Sequence, residues 1–391
     1  MYITSMRVYR VKNVYFCISA ALPTLKRYID KSDKVMLVCR VIEKSEAPKG
    51  HVRLPFEIEI IGAPDYLGFL KKEVRESLAN AICESTVIMA HVPSLPSYLT
   101  THLANKMRKN YCVVVVGCAL EALYYHSLLG RLLAPINYLL MKHCVKKASY
   151  AIYVTERTLQ QKYPCDCRWI HASNASIQSL DEEVLTKRLD KIASADSCHY
   201  VSLATCAAVD VKYKAQEDVI RALPRLRDEG IYAKYYLAGG GDQSYLKQIA
   251  RKLAVENDVY FLGHLSKDEI IRLLDSIDIY IQPSKTEGLP RAVVEAMNRG
   301  CPCLGSDAGG IPELLESRYI FRRGSVDEIC RKIRTILSDD LSSIAVRNFR
   351  ESSKYLNVII EKRRSDFIDN IIAHEVGLDS VSRNSLESEM L

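Results

Sequence analysis

The feature that most constrains the fold is an alternation of short β-branched runs with longer amphipathic stretches. This alternation is typical of parallel α/β layers, because a parallel strand reaches its neighbour only through a crossover, usually a helix. The pattern weakens after Thr155, and the polar stretch Asp166–Ile192 predicts a domain boundary. The strands predicted in the first half are Val35–Val41, Glu57–Ile61, Val87–Ala90, Cys112–Val116 and Tyr150–Val154.

A second alternating series begins at His199 and has the size of one nucleotide-binding α/β domain, about 150 residues. Its predicted strands are Tyr200–Ala204, Ala233–Ala238, Val259–Leu262, Ile277–Gln282, Pro302–Gly305 and Tyr319–Phe321. The helices predicted between them are Glu217–Glu229, Ser244–Val255, Lys267–Ser276, Pro290–Arg299 and Val326–Leu337.

The 391 residues therefore divide into four predicted segments. An N-terminal Rossmann-like domain covers 1–175, and a second Rossmann-like domain covers 198–340. A helical segment over 341–373 could return to the first domain, and 374–391 is predicted to be a disordered tail. Two doubly wound domains place the natural ligand site in a central cleft, where the carboxyl ends of their strands face each other.

The composition excludes several classes of protein. With 48% hydrophobic and 26% charged residues, the chain resembles a globular protein rather than a disordered one. No apolar run approaches the roughly 18 residues that a transmembrane helix requires. The 13 cysteines include no Cys-x-x-Cys pair, which argues against structural zinc and for reduced thiols. We therefore expect a cytoplasmic protein.

Positive charge is concentrated in the first half of the chain. Residues 1–190 carry 26 Lys/Arg and 17 Asp/Glu, and in 101–150 seven basic residues face one acid, Glu121. The segment 128–150 mixes apolar and basic residues, so it suits an anionic membrane surface. An ordinary core-facing helix with a solvated face explains the same pattern. We expect no nucleic-acid partner, because no motif for nucleic-acid binding accompanies the charge.

The densest chemical signal lies in the segment 282–300, which predicts a strand, a tight loop and a helix. Gly288 allows the backbone to approach a ligand closely, Pro290 suits the first helical position and Gly300 suits the C-terminal cap. The amides of the first helical turn then form an anion site. Glu287 in the loop and Glu295 in the helix are eight residues apart, which on an ideal helix is about 80° of rotation. Two solvated surface acids would explain an isolated pair.

The surrounding motifs favour a shared site. A strand and a lysine-bearing loop lie at 201–216, a Gly-Gly-Gly-Asp turn at 239–242, and Gly-His at 263–264. Downstream, Gly309-Gly310-Ile-Pro-Glu313 follows a strand. In order, spacing and residue type these motifs resemble the C-terminal domain of the retaining glycosyltransferases of family 4, which have the GT-B fold. The stretches 154–164 and 203–214 are similar to members that build capsular polysaccharide and O-antigen.

The resemblance implies a role for each matching residue. Lys214 would contact the donor diphosphate with help from Lys212, and Glu295 would bind the nucleotide ribose. Glu287 would contact the donor sugar, which makes Glu287 and Lys214 the catalytic candidates. The amides of Gly288 and Leu289 would approach the sugar and the β-phosphate. No cofactor or metal ion is implied, because lysine and helix-end amides supply the positive charge.

The chain departs from the family pattern in three places. Ala215 occupies the position of the usual glycine after the lysine, and the arginine that commonly precedes this lysine is absent. The N-terminal glycine-rich loop is also missing, since 13–24 contains no glycine. Family members often place a histidine of the N-terminal domain near the sugar, and His91 and His126 are the two candidates.

The predicted function is transfer of a hexosyl residue, with retention, from a nucleotide-diphosphate sugar to a growing surface glycan. A lipid-linked acceptor implies a peripheral position on the inner face of the plasma membrane, with 128–150 as the docking surface. Two alternatives remain open: a GT-B sugar-nucleotide epimerase, and a glycosyltransferase-like subunit that only binds or scaffolds a partner.

Overall fold

A computed structural model describes residues 1–55, 58–194 and 200–389, which form two α/β domains joined by a linker and by a long C-terminal helix. The predicted positions Glu57 and His199 lie outside the described residues. The strands of the first domain are β1 Tyr2–Val11, β2 Val14–Ile18, β3 Val35–Glu43, β4 His51–Arg53, β5 Ile58–Ala63, β6 Met89–Val92, β7 Cys112–Val115, β8 Tyr150–Tyr153 and β9 Arg168–His171. Those of the second are β10 Val201–Cys206, β11 Ala233–Ala238, β12 Val259–Gly263, β13 Ile279–Gln282, β14 Cys303–Ser306 and β15 Ile320–Phe321.

Helices cover both faces of each sheet. Those that precede β10 are α1 Leu22–Ile29, α2 Lys72–Glu84, α3 Leu95–Lys106, α4 Ala119–Tyr124, α5 Leu128–Lys146, α6 Thr158–Lys162 and α7 Glu182–Ala193. Those that follow it are α8 Gln216–Asp228, α9 Ser244–Lys252, α10 Lys267–Ser276, α11 Arg291–Asn298, α12 Ile311–Leu314, α13 Val326–Ser338, α14 Leu341–Ser352 and α15 Asn357–Glu389. Among the described residues, no helix combines the length and the hydropathy that crossing a bilayer requires.

The first sheet is parallel in the order β5-β3-β1-β6-β7-β8-β9, with an antiparallel extension in which β2 pairs with the outer end of β1 and β4 pairs with β2. Strands β3 and β7 are buried on both faces. Side chains such as Val38 and Val113 enter the core beneath α2, α3 and α5. Their neighbours Leu37 and Val114 enter the core beneath α1 and α15, as period-two alternation requires.

The second sheet is entirely parallel in the order β12-β11-β10-β13-β14-β15. In this sheet the direction in which successive strands are added reverses between β10 and β13. In the first sheet it reverses between β1 and β6. Ligands of doubly wound domains bind outside the carboxyl ends of the strands at such reversals. The prediction of two Rossmann-like domains facing a cleft is confirmed.

The chain between the domains is more regular than the sequence indicated. Strand β9 lies within the predicted boundary stretch yet pairs with β8 of the first sheet. Helix α7 belongs to the second domain, because buried Arg188 donates to the carbonyls of Leu274 and Ile277. Helix α15 runs from Asn357 to Glu389 and so extends into the stretch 374–391, for which the sequence predicts a disordered tail.

Helix α15 carries the chain back to the first domain. Ile360, Ile368 and Ile371 are buried in the core beneath α1. Arg27 of α1 donates twice to Glu361, at 2.9 and 2.7 Å. Arg364, only 2% exposed, donates to the carbonyls of Ala172 and Ser173 in the linker between the domains. The buried Arg364 guanidinium therefore joins α15 to that linker, in addition to the backbone hydrogen bond from Asn357 to the Ile177 carbonyl.

We expect Arg364→Ala to lower the free energy of unfolding by about 3 kcal/mol, because the linker carbonyls and Glu361 lose a buried partner. Urea denaturation measures the change. Lys362→Ala is the matched control, since Lys362 is exposed on the same helix. A loss as small as that of the control would show that Arg364 does not tie the helix to the linker.

Candidate functional site

The lysine-bearing loop and the loop after β13 meet at a short ion pair. Lys214 ends a 3₁₀ turn that follows β10, and Glu287 lies between β13 and α11. The Lys214 Nζ and Glu287 Oε1 atoms are 2.7 Å apart, and the two side chains are 21% and 11% exposed. The structure thus brings together two of the residues that the sequence assigned to one site.

A chain of hydrogen bonds orients Glu287 from the interior of the second domain. The Gln282 side-chain amide donates to Glu287 Oε1 at 3.0 Å, and the Tyr280 hydroxyl donates to Gln282 Oε1 at 2.6 Å. The Cys206 backbone N–H donates to the Tyr280 hydroxyl in turn. Because Tyr280 and Gln282 are buried, the carboxylate is held in one orientation before any ligand arrives.

The backbone explains why a glycine is usual after the lysine. Ala215 has φ +56° and ψ +30°, in the left-handed region that favours glycine, and its side chain is fully buried. An alanine in this conformation costs about 1 kcal/mol. The loop therefore keeps the tight turn although the glycine is absent. Lys212 stays exposed, with its Nζ 5.3 Å from the centre of the Tyr245 ring.

Glu295 lies on α11 and lines a cavity of about 800 Å³ between the domains. Burial raises the pKa of Glu295, and the nearby Arg291 and Lys267 partly offset that rise. Arg27 of α1 lines the cavity from the first domain. Glu287 does not line this cavity, so the two glutamates address different parts of the space between the domains.

Glycines allow the two domains to touch at the carboxyl ends of their strands. A Cβ atom on Gly288 would lie 2.3 Å from the Val116 carbonyl oxygen, which follows β7 of the first domain. Gly310 donates from its backbone to the Gly288 carbonyl at 2.6 Å, and its Cα faces Thr155 of the first domain. Leu289 packs beside these glycines. A larger residue at 288 would separate the domains.

Two polar contacts across the cleft were not predicted. The Glu313 carboxylate accepts from the backbone N–H groups of Glu156, Arg157 and Thr158 at 2.6–3.0 Å, at the start of α6. The Glu121 carboxylate lies 3.2 Å from Arg323 of the second domain, at the end of β15. The sequence marks both acids without indicating their partners. Glu313 belongs to the Gly-Gly-Ile-Pro-Glu motif, and Glu121 is the single acid of 101–150.

The two candidate histidines occupy different environments. His91, on β6, faces the hydroxyls of Tyr2 and Tyr28 at 3.4 Å each. Burial lowers the pKa of His91 to about 3, so its ring stays neutral near neutral pH. His126 is exposed in the turn between α4 and α5. Neither histidine contacts Glu287 or Lys214 through a described hydrogen bond.

The described residues contain no group of three or more His, Cys, Asp or Glu side chains arranged to hold a metal ion. Two lysines carry positive charge in the loops that surround Glu287. Besides Lys214, Lys285 follows β13 and pairs with Glu217 at 3.2 Å, at the first turn of α8. Lys285 is thereby committed to a contact inside the second domain.

Comparisons with known proteins identify the family and the fold. Residues 202–355 match the family model described as glycosyl transferases group 1. Protein CapJ of Staphylococcus aureus is 31% identical over 350 residues, which is 86% of each chain. The amylovoran biosynthesis glycosyltransferase AmsK of Erwinia amylovora is 38% identical over 104 residues, 25% of this chain and 26% of that one.

Solved structures share both domains. A crystal structure of Anabaena HepE in complex with UDP has a TM-score of 0.65 at 18% identity and covers 95% of this chain and 100% of its own. Sucrose-phosphate synthase from Thermosynechococcus elongatus has a TM-score of 0.65 at 12% identity and covers 95% and 98%. These likenesses show the GT-B fold. The match to CapJ extends over most of both chains, and the chain belongs to the group 1 glycosyltransferases.

Proposed function

We propose that the protein is a retaining, metal-independent glycosyltransferase of surface polysaccharide biosynthesis. It transfers a hexosyl residue from a nucleotide-diphosphate sugar to a lipid-linked glycan. The observation that carries the proposal is the Lys214–Glu287 pair at the strand ends of the second domain, beside the cavity that Glu295 lines. Crystal structures of Anabaena HepE hold UDP and UDP-glucose, which makes UDP-sugars the first donors to test.

In this proposal the donor diphosphate lies between Lys214 and the first turn of α11. As the glycosidic bond breaks, negative charge grows on the leaving diphosphate, and Lys214 with the amides of Gly288 and Leu289 stabilises it. Glu287 holds the sugar hydroxyls, and Glu295 accepts from the ribose diol. No side chain has to attack the anomeric carbon, because the leaving phosphate deprotonates the acceptor on the same face.

The partly buried ion pair also supports this mechanism. Bringing Lys214 and Glu287 out of water costs free energy that a surface pair would not. A charge that is already in position before the reaction stabilises the transition state without any rearrangement of the site. In the proposed mechanism, that gain offsets the cost of taking the pair out of water.

We expect Glu295→Gln and Lys214→Met to lower transfer at least 100-fold and to weaken UDP binding about tenfold or more, because each removes a charged contact to the donor. Turnover assays and calorimetric titration with UDP measure these effects. Glu256→Gln and Lys252→Met are matched controls on an exposed surface of the same domain. Wild-type turnover in either site variant, with normal thermal melting, would refute the assignment of the donor site.

Product analysis separates the proposal from its alternatives. We expect NMR of the product to show the anomeric configuration of the donor, formed only when an acceptor is present and at an unchanged rate in EDTA. An epimerase would convert the donor without acceptor. A scaffold subunit would bind the donor and release no product. Inversion, or loss of turnover in EDTA, would contradict the mechanism.

The first domain exposes an apolar surface that suits a membrane-bound acceptor. On α5, Leu128, Leu132 and Leu139 are 78%, 75% and 62% exposed. Leu67, in the loop after β5, is 75% exposed as well. Contiguous exposed apolar side chains mark interaction surfaces. Not all of the predicted docking segment 128–150 can meet a membrane: Met141, for example, is fully buried in the core of the first domain.

Exposed bases accompany this surface. Arg131, Lys142, Lys146 and Lys147 are exposed on or just after α5. With 3.6 residues per turn, Arg131 and Lys142 lie on one flank of the leucine face. The leucines would enter the interface while these bases meet lipid phosphates. Each base near an anionic surface contributes about 1 kcal/mol, and the attraction falls off within a Debye length of about 8 Å.

We expect the change of Arg131, Lys142, Lys146 and Lys147 to Gln to abolish most co-sedimentation with anionic liposomes, and added salt to weaken binding of the wild type. The control changes four exposed bases of the second domain, Arg227, Arg251, Lys252 and Arg331, to Gln. Equal pelleting of all three proteins on anionic liposomes would show that α5 does not dock through its charges.

A further inference from the structure

Two arginines lie side by side on the first sheet, past the carboxyl ends of its central strands. Arg7 of β1 and Arg40 of β3 are register partners in parallel strands, so their side chains leave the same face of the sheet. A register shift between Ile3 and Arg7 precedes the pair. Bulges of this kind re-aim side chains and are common next to active sites.

The surroundings of Arg40 hold its guanidinium in place without neutralising it. Its carbon Cζ lies 4.5 Å from the centre of the Tyr66 ring, and Nη2 donates to the Ser5 carbonyl at 3.3 Å. Its Nε is buried and has no hydrogen-bond partner among the described residues. Asp65, beside Tyr66, is engaged with the backbone N–H of Gly68 at 2.8 Å.

Arg7 is exposed, and neither arginine forms an ion pair with a described carboxylate. The contrast with Arg10 is informative, because Arg10 lies three residues further along β1 on the opposite face. Its guanidinium pairs with Glu43 of β3 at 2.6 Å. The same two strands therefore supply an acid for one arginine and none for the other two.

This arrangement is unfavourable unless an anion joins it. Like charges directly opposite each other on neighbouring strands repel, and a buried N–H without a partner costs free energy. Two guanidinium groups on one face match the oxygens of a phosphate, which they bind through paired N–H donors. Positive pairs without acids are thus expected where a phosphorylated ligand binds.

An apolar groove begins in the same loop that carries Tyr66. Leu70, Leu95, Leu99 and Leu140 line a groove of about 220 Å³ between that loop, α3 and α5. Leu140 is also part of the exposed leucine face of α5. The arginine pair and the groove therefore lie on the same side of the first domain, and the groove leads towards the surface proposed to meet the membrane.

We propose that Arg7 and Arg40 bind the diphosphate of the acceptor lipid, whose apolar chain occupies the groove between α3 and α5. This rests on the proposed function and assigns its acceptor class: the diphosphate of an apolar lipid that carries the growing glycan. Tyr66 positions Arg40. The exposed leucine face of α5 then contacts the membrane that contains the lipid. The arginine pair fixes the position of the lipid diphosphate relative to the cleft.

The test measures binding of farnesyl diphosphate by calorimetry in saturating UDP, which occupies the donor site. We expect Arg7→Gln and Arg40→Gln each to weaken binding about tenfold or more, and Arg40→Lys to weaken it less, because the charge remains while the fork is lost. Arg10→Gln, the matched control, should bind as the wild type does. UDP affinity should be the same in all four variants.

The outcomes are distinct. Wild-type affinity in Arg7→Gln, which changes an exposed side chain and should fold normally, would overturn the arginine site. Equal affinity for inorganic diphosphate and farnesyl diphosphate would overturn the lipid groove. Absence of farnesyl diphosphate binding alongside normal UDP binding would overturn the acceptor proposal and leave the donor assignment intact. Failure of UDP to bind the wild type would instead refute the proposed function.

Discussion

The close approach of the Gly288 backbone to the Val116 carbonyl is the contact on which the arrangement of the site depends. A Cβ atom at 288 would lie 2.3 Å from that oxygen. The segments that follow β13 and β7 therefore come this close only because residue 288 has no side chain. Glu287 precedes this contact and Leu289 follows it, so the orientation of both is coupled to the meeting of the domains. The cap that Glu313 forms on α6 and the Glu121–Arg323 pair then hold the same arrangement from either side.

Most of the second domain could be predicted from the sequence, because its strands are buried apolar runs and its helices carry one apolar stripe. Strands β11 and β12 and helix α10 lie within one residue of their predicted bounds. The first domain was harder. The shift after Ile3 interrupts the alternation of β1, and β2 is only five residues long. Neither strand was predicted.

The residues proposed for the donor site could be named from the sequence because they cluster in short motifs, whereas their partners could not. Gln282 is visible only as a polar residue that ends a buried strand, and nothing local indicates that it holds Glu287. Glu121 and Arg323 are 202 positions apart and belong to different domains. Contacts of this kind depend on how the domains pack, which local patterns of hydrophobicity do not encode.

The missing glycine-rich loop has a structural explanation. Strand β1 continues through Val11 and reverses at Lys12 and Asn13, which both have positive φ, into a hairpin extended by β4. A glycine-rich loop would offer backbone amides to a phosphate. In a hairpin those amides form hydrogen bonds between the strands. Binding of a phosphate at this end of the first sheet therefore depends on side chains. In the proposed acceptor site, Arg7 of β1 and Arg40 of β3 take over that role.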